Sequence, residues 1–349
     1  MGSIEAPRKF YTEPADVPVV DYRALKGTGE THQNALAQLD RAFRTYGFAY
    51  ISNHSIPQQK VDEAFAWSSR FFKLPEQVKA KVPHPASNDP HRGWVHDGLS
   101  HVSQMVFDRD EVQELRKTSP ERKETLETGS PFSKEVPENK WLPEGDFPGH
   151  KAFFESWWHD CTELNHSLLQ SLCECLQLEQ DYLSRNQTKN ICHMSWQYYP
   201  SMPLKPLQNS EFKRLNAHTD FGQLTLLFQD AVGGLEIHDG EKFRPIVPIP
   251  NTVVINVGDM LERQTNGRWK SALHRVVAPS QFMIPKEDEV DDVIDRYSIA
   301  YFGTPDPDSI VSTLPGCEVK GQWNPNMIGT WADNMTASTW IEKRIAMEY

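Results

Sequence analysis

The sequence predicts an α+β protein in which helices support an antiparallel barrel or jelly roll. Three observations lead there. From about residue 190 to 305, short β-favouring stretches alternate with Gly, Pro and Asn turns, with no helical periodicity between them. Upstream, apolar residues recur at helical spacing in two stretches, Ala35 to Tyr46 and Val61 to Phe72, each next to a short strand-like run. Phe153 to Cys175 carries a third and longer stripe (Phe154, Trp157, Trp158, Cys161, Leu164, Leu168, Leu172), which reads as core rather than as a cofactor box.

The composition agrees. A chain of 349 residues with 38% hydrophobic and 11% aromatic content is globular and long enough for one large domain or two modest ones. A net charge of −12 argues against nucleic acid or an anionic membrane as partner and favours a small-molecule ligand. Five irregularly spaced cysteines suggest reduced thiols, not a disulfide framework. Met1 to Pro14 has no apolar core of a signal peptide, and Ala6 stands where a Met1-Gly2 myristoylation signal wants Ser or Thr. No apolar run approaches the ~20 residues that cross a bilayer. The expectation is a cytoplasmic protein with no membrane association, monomeric by default.

In chain order, Val17 to Tyr22 reads as a first strand, the Ala35–Tyr46 helix stops at Gly47, and Phe48 to Ser52 resumes as a strand. Pro57 opens the second helix, and His54 before it reads as a hydrogen-bonded turn residue rather than a ligand. Residues 83–148 are poor in periodicity and rich in Pro, Asp, Glu and Lys. The strands expected after the long helix are 192–199, 213–219, 223–229, 234–238, 252–257, 271–278 and 296–302, and Thr336 to Met347 reads as an amphipathic helix packed on the barrel.

The chemistry centres on Arg214-Leu215-Asn216-Ala217-His218-Thr219-Asp220. Side chains alternate along an extended segment, so His218 and Asp220 share a face and make two-thirds of a 2-His-1-carboxylate iron site. Such a pair alone is weak. His274, in a β-favouring stretch after the Asn266-Gly267 turn, is the best third ligand. Arg296 and Ser298 are again two apart, and a guanidinium fork beside a hydroxyl suits a carboxylate. Together they suggest a site for iron and a keto acid.

Beyond these residues, the chain resembles the iron(II)- and 2-oxoglutarate-dependent oxygenases of the isopenicillin N synthase-like family, closest in wording to fungal thymine 7-hydroxylase-like members. The resemblance covers nearly the whole chain. It runs through Val17-Pro18-Val19-Val20-Asp21-Tyr22, Tyr46 to His54, Phe71-Phe72-Lys73-Leu74-Pro75, His218-Thr219-Asp220, Gly233-Gly234-Leu235-Glu236, Asn256-Val257-Gly258-Asp259, His274-Arg275-Val276, Arg296-Tyr297-Ser298 and the ending Arg344 to Tyr349. It implies a double-stranded β-helix (jelly-roll) barrel with supporting helices. The expected parts are an α-rich N-terminal portion (1–125), a linker with the long supporting helix (126–189), the catalytic core (190–310) and a C-terminal segment with its helix (311–349).

The resemblance further implies that His218, Asp220 and His274 hold Fe(II) and that Arg296, Ser298 and Tyr199 hold 2-oxoglutarate. Dioxygen is the oxidant, and succinate and carbon dioxide leave as a small organic substrate is hydroxylated, desaturated or cyclised. Strand parity with Tyr199 sends His193, Ser195 and Gln197 inward, and the same reasoning sends Arg296, Ser298, Ala300 and Phe302 inward. His193, Ser195, Gln197, Phe302, Phe221 and Trp94, the last near the mouth in relatives, are the substrate-pocket candidates. That lining shows no inward cation besides Arg296, which favours an apolar or nitrogen-heterocyclic substrate. Ser195 stands where thymine 7-hydroxylase-like sequences have an arginine, so a pyrimidine substrate is disfavoured. Two alternatives stay open: an iron oxidase that uses no keto acid, like isopenicillin N synthase, and a non-catalytic barrel that binds a small ligand.

Overall fold

Along Leu224–Gln229, Leu226 and Phe228 point to one side of the strand and Thr225 and Leu227 to the other. Repeated on neighbouring strands, this alternation gives the large sheet an apolar core on each face. The computed structural model describes residues 12–85, 91–98, 120–209, 211–279, 292–318 and 335–345. Its strands are β1 (Val19–Asp21), β2 (Phe48–Ser52), β3 (Gly93–Val95), β4 (Glu124–Gly129), β5 (His193–Tyr199), β6 (Met202–Pro203), β7 (Leu215–His218), β8 (Leu224–Gln229), β9 (Leu235–His238), β10 (Phe243–Pro245), β11 (Thr252–Val257), β12 (His274–Val276), β13 (Asp292–Val293) and β14 (Arg296–Gly303). Eight of them form one sheet in the order β1-β2-β11-β8-β14-β5-β4-β3; four form a second, β10-β9-β12-β7; and β13 pairs with β6.

The outer face of the large sheet carries Met194, Trp196, Leu226, Phe228, Ile299 and Tyr301. The helix His150–Cys175 covers it, with Trp157 against Phe228 at 4.9 Å and Trp158 against Tyr301 at 5.3 Å between ring centroids. Each such fully buried side chain stabilises the fold by roughly 1.5–3 kcal/mol before entropy is counted. The inner face meets the four-stranded sheet. There Tyr50, Tyr199 and Val254 pack against Leu215, Leu235, Ile237 and Val276. The result is a mixed helix-and-sheet protein with the candidate site between its two sheets.

Each expected strand of the 190–305 region has an observed counterpart, most of them a residue or more shorter at an end and β14 one residue longer. His54 packs edge-on against Phe228 of the outer core, 6.1 Å between centroids, as a structural residue does. The expected tail helix is observed as Ala337–Ile345, and its last expected residues lie outside the described ones. Residues 83–148 differ from expectation: they contain β3 and β4, and the expected boundary between 125 and 126 falls inside β4, which hydrogen-bonds along its length to β5. Among the described residues no helix is long and apolar enough to cross a membrane.

Candidate active site

β7 and β12 are antiparallel neighbours, and their register sets His274 opposite His218, with ring centroids 4.2 Å apart. Nδ1 of His218 hydrogen-bonds to the Asn216 carbonyl at 2.9 Å and Nδ1 of His274 to the Ala272 carbonyl at 3.1 Å. A neutral imidazole that donates from Nδ1 keeps its Nε2 lone pair for a metal. Both Nε2 atoms face Asp220 Oδ1, at 3.9 and 3.7 Å. The other carboxylate oxygen, Oδ2, accepts hydrogen bonds from Thr225 Oγ1 and Asn256 Nδ2, both at 2.6 Å. Burial opposes ionisation of Asp220, but the two imidazoles and these hydrogen bonds outweigh it and hold its carboxyl below the ordinary value. Burial, with His274 second, pushes His218 down to about 3, so its imidazole is neutral near pH 7.

The loop that carries Asp220 is fixed by the main chain. Asp259 N donates to the Asp220 carbonyl at 2.7 Å and Gly258 N to that of Gln223 at 2.8 Å. A Cβ on Gly258 would lie 2.3 Å from the Gly222 carbonyl oxygen, so only glycine allows this approach. The segment Asn256-Val257-Gly258-Asp259 is thus a clamp on Asp220.

On the same inner face, β14 pairs with β5 so that Arg296 lies opposite Tyr199 and Ser298 opposite Gln197. Arg296 Nη1 donates to Ser298 Oγ at 3.1 Å, Ser298 Oγ to Gln197 Oε1 at 3.2 Å, and Tyr199 Oη to the same oxygen at 2.7 Å. The guanidinium lies 4.9 Å from the Tyr199 ring centroid, is 1% exposed, and its Nε has no hydrogen-bond partner. A buried cation with an unmatched donor fits an incoming carboxylate.

β4 adds an unforeseen polar wall. Glu127, opposite Ser195, accepts from Ser195 Oγ at 2.9 Å and from His193 Nε2 at 2.6 Å. Just before β4 begins, along the same face, the buried Lys123 ammonium lies 3.1 Å from Glu121 Oε2. Glu121 Oε1 in turn accepts from the backbone N and side-chain Nδ2 of Asn216, both at 2.8 Å, which ties this pair to the strand of His218. Burial opposes the charge on Lys123, but Glu121 holds the ammonium above its ordinary value. Arg214, also buried, donates from Nη2 to the Ile294 carbonyl at 2.7 Å.

Among the described residues two groups have ligand atoms close enough to share a metal: His218, Asp220 and His274, and His91, Glu127 and His193. Geometry separates them. Two ligands each about 2.1 Å from one ion stand about 3 Å apart or more, which the 3.7 and 3.9 Å gaps of the first group satisfy. In the second, His193 and Glu127 meet at 2.6 Å, a hydrogen bond with the proton between them. Arg92 Nη1 at 3.4 Å from His193 Nδ1 fixes the same tautomer, with Nε2 protonated and closed to a metal.

Of the expected pocket residues, His193, Ser195, Gln197 and Phe302 share the inner face as parity requires, and Phe221 is half-buried in the β7–β8 loop. Trp94 does not join them. Its register with Leu126, and Leu126's with Trp196, puts it on the outer face, where Nε1 donates to Glu124 Oε2 at 2.7 Å. The expectation of no inward cation besides Arg296 is also corrected, since Lys123 shares that face. Glu121, Lys123 and Glu127 were missed because Glu121-Arg122-Lys123-Glu124 reads as a solvated charge run; the spacing 121, 123, 125, 127 was the signal that marks them as one face.

Two family models match the chain: one described as the N-terminal region of non-haem dioxygenase in morphine synthesis, over residues 17–144, and one as the 2OG-Fe(II) oxygenase superfamily, over residues 190–305. The chain is 41% identical to the 2-oxoglutarate-dependent dioxygenase lolO2 of Epichloe uncinata, covering 97% of this chain and 95% of the relative. It is 36% identical to the 2-oxoglutarate-dependent dioxygenase frbA of Dothideomycetidae sp., covering 95% and 97%. Among solved structures it is similar to a full-length Neurospora crassa protein in complex with alpha-KG and thymine, with a TM-score of 0.80, 28% identity, and 95% and 96% of the two chains covered.

Proposed function

The chain belongs to the 2OG-Fe(II) oxygenase superfamily, and from that premise we propose that His218, Asp220 and His274 are its iron ligands, that Arg296, Ser298 and Tyr199 hold 2-oxoglutarate, and that it oxidises a small organic molecule. The enzyme is a 2-oxoglutarate-dependent dioxygenase using Fe(II) and O2. The observation that carries the residue assignment is the convergence of two imidazole Nε2 atoms on one oxygen of a carboxylate whose other oxygen is already held. When bound, iron and oxoglutarate supply with dioxygen an oxidant able to break an unactivated C–H bond, oxoglutarate ending as succinate and carbon dioxide. Arg296 fixes the distal carboxylate, and Ser298 and Gln197 orient Arg296 through their hydrogen bonds. Thr225 and Asn256 keep Asp220 from rotating, and the apolar cluster around Tyr199, Leu215 and Ile237 keeps bulk water from the keto-acid end.

We read the two facing sheets as halves of a double-stranded β-helix, with residues 190–310 as the catalytic core, β4 from the preceding segment completing its wall, and 311–349 bracing it. The substrate is a specialised metabolite or nitrogen heterocycle, and the presence of Ser195 disfavours a pyrimidine. The same reading takes the protein as a cytoplasmic monomer with no nucleic-acid or membrane partner, supported by its acidic balance and by five free cysteines, four of them buried. The test is oxygen uptake and succinate release by Fe(II)-loaded protein with and without oxoglutarate. Oxidation should require oxoglutarate; equal oxygen uptake without it would replace this reading by the keto-acid-independent oxidase.

A further inference from the structure

The wall built on β4 contains a charge for which the keto-acid chemistry has no role. Glu127 is 6% exposed, and its partners are Ser195 Oγ at 2.9 Å, His193 Nε2 at 2.6 Å and His91 Nε2 at 3.6 Å. Burial opposes its ionisation, but the His193 hydrogen bond and the neighbouring imidazoles hold its carboxyl well below the usual range. Burial also lowers both imidazoles, His91 to about 3, so they are neutral near pH 7. Among the described residues no Lys or Arg forms an ion pair with Glu127; Arg92 stops at His193 Nδ1, one imidazole away. Buried carboxylates are normally matched by a cation, and among the described residues this one has none in direct contact.

Its surroundings are directional. Arg296 donates to Ser298 and Ser298 to Gln197, while Gln197 Nε2 donates to Ser195 Oγ at 3.5 Å and Ser195 to Glu127. From the other side Arg92 donates to His193 and His193 to Glu127. Hydroxyl and imidazole protons are therefore committed to the carboxylate, and the wall offers an incoming molecule acceptors. It also offers ring faces: His193 is stacked on His91 at 4.7 Å and on Phe302 at 6.0 Å. Acceptors and π faces, with Arg92 held one imidazole away and Lys123 already paired with Glu121, are complementary to a protonated nitrogen. Register places this end usefully, because Phe302 pairs with His193 on one side and with Thr225, which holds Asp220, on the other. Two strand spacings, roughly 10 Å, thus separate the His193 and Thr225 columns.

We propose that Glu127 is the specificity-determining residue for a positively charged nitrogen, so that the substrates are small cyclic amines held with N–H toward Glu127 and their carbon skeleton over Phe302 and Ala300. This rests on the iron and oxoglutarate assignment above and names the substrate class for that same site.

The test uses anaerobic Fe(II)- and oxoglutarate-loaded protein and matched ring pairs, pyrrolidine with tetrahydrofuran and piperidine with tetrahydropyran, read by thermal shift and, in air, by succinate release. Each amine should act at about tenfold lower concentration than its ether, the scale of one buried charge-assisted contact. Glu127→Gln should keep iron and oxoglutarate binding and lose that preference. Absence of amine preference in the wild type, whether both members bind or neither does, overturns the proposal, as does a preference that survives in Glu127→Gln. The wild-type comparison needs no variant and decides the matter should Glu127→Gln not fold. Wild-type protein that binds neither iron nor oxoglutarate removes the proposed function itself, a result read before any amine is added.

Discussion

Asn256 Nδ2 donates to Asp220 Oδ2 at 2.6 Å, on the oxygen turned away from His218 and His274. That bond, with its twin from Thr225, selects which carboxylate oxygen faces the metal position. Partners of this kind typically matter by 10- to 100-fold in metal affinity. Asn256→Ala should therefore weaken Fe(II) or Co(II) binding by about 10- to 100-fold, beyond a loss of about 1–3 kcal/mol in apo-protein stability from the buried carboxylate deprived of a donor. Anaerobic metal titration checks this, and wild-type affinity in the variant would show that Asp220 is oriented by something else.

Arg296 is buried with its Nε unmatched, and its Nη1 is held by Ser298. A planar fork is not replaceable by a point charge, so Arg296→Lys should weaken oxoglutarate binding by about 1.5–3 kcal/mol. Calorimetric titration of the metal-loaded protein reads this directly. Unchanged affinity would move the carboxylate to another buried cation, Lys123 or Arg214.

Lys123 and Glu121 form an ion pair, 5% and 0% exposed. Removing one member of a buried pair strands the other charge, at a cost of about 3–5 kcal/mol. Lys123→Met should lower stability on that scale in urea unfolding, and adding Glu121→Gln should recover part of the loss. A single variant as stable as wild type would mean that water reaches Glu121.

The contrast between the two polar clusters shows what was legible in the sequence. Arg296 and Ser298 are spaced by two within an otherwise apolar strand, so alternation alone places them, whereas His218 ends β7 and Asp220, two residues on, also needs the clamp from Asn256 to Asp259. The β4 wall obeys the same period, yet both of its faces are polar. Glu124 on the outer side is matched by Lys79 and by Trp94 Nε1, while Glu127 on the inner side is matched by His193 and Ser195. These partners come from distant parts of the chain, so the burial of β4 depends on pairing that no local pattern records. Trp94 was misplaced for the same reason, since its face follows from register with β4.

Glu262 supplies a pH prediction remote from substrate. Burial first, then the Asp259 charge, pushes its carboxyl up to about 7, with Lys270 opposing. A folded-state value above the unfolded one means that the native state binds the proton more tightly, so stability falls as pH rises from about 4.5 to 7 and levels off above that. Glu262→Gln should remove this fall and be more stable than wild type at pH 8 by about 1–3 kcal/mol, with allowance for partial exposure. Thermal unfolding at pH 5 and pH 8 checks the sign; a variant whose advantage is larger at pH 5 contradicts it.

Ser195 lies between the two halves of the site, accepting from Gln197 on the oxoglutarate side and donating to Glu127 on the other. It is 4% exposed and lies opposite Ala300, so a larger side chain has to enter the space over Ala300 and Phe302. Arg296 and Ser298 are reached from Gln197, not from Ser195, so the oxoglutarate anchor keeps its own hydrogen bonds. Ser195→Phe should therefore block substrate oxidation while sparing the slow decarboxylation of oxoglutarate that occurs without substrate. Succinate release measured with and without substrate distinguishes the cases. Loss of both would mean that the introduced ring disturbs the anchor, whereas substrate oxidation at the wild-type rate would put the pocket on another wall.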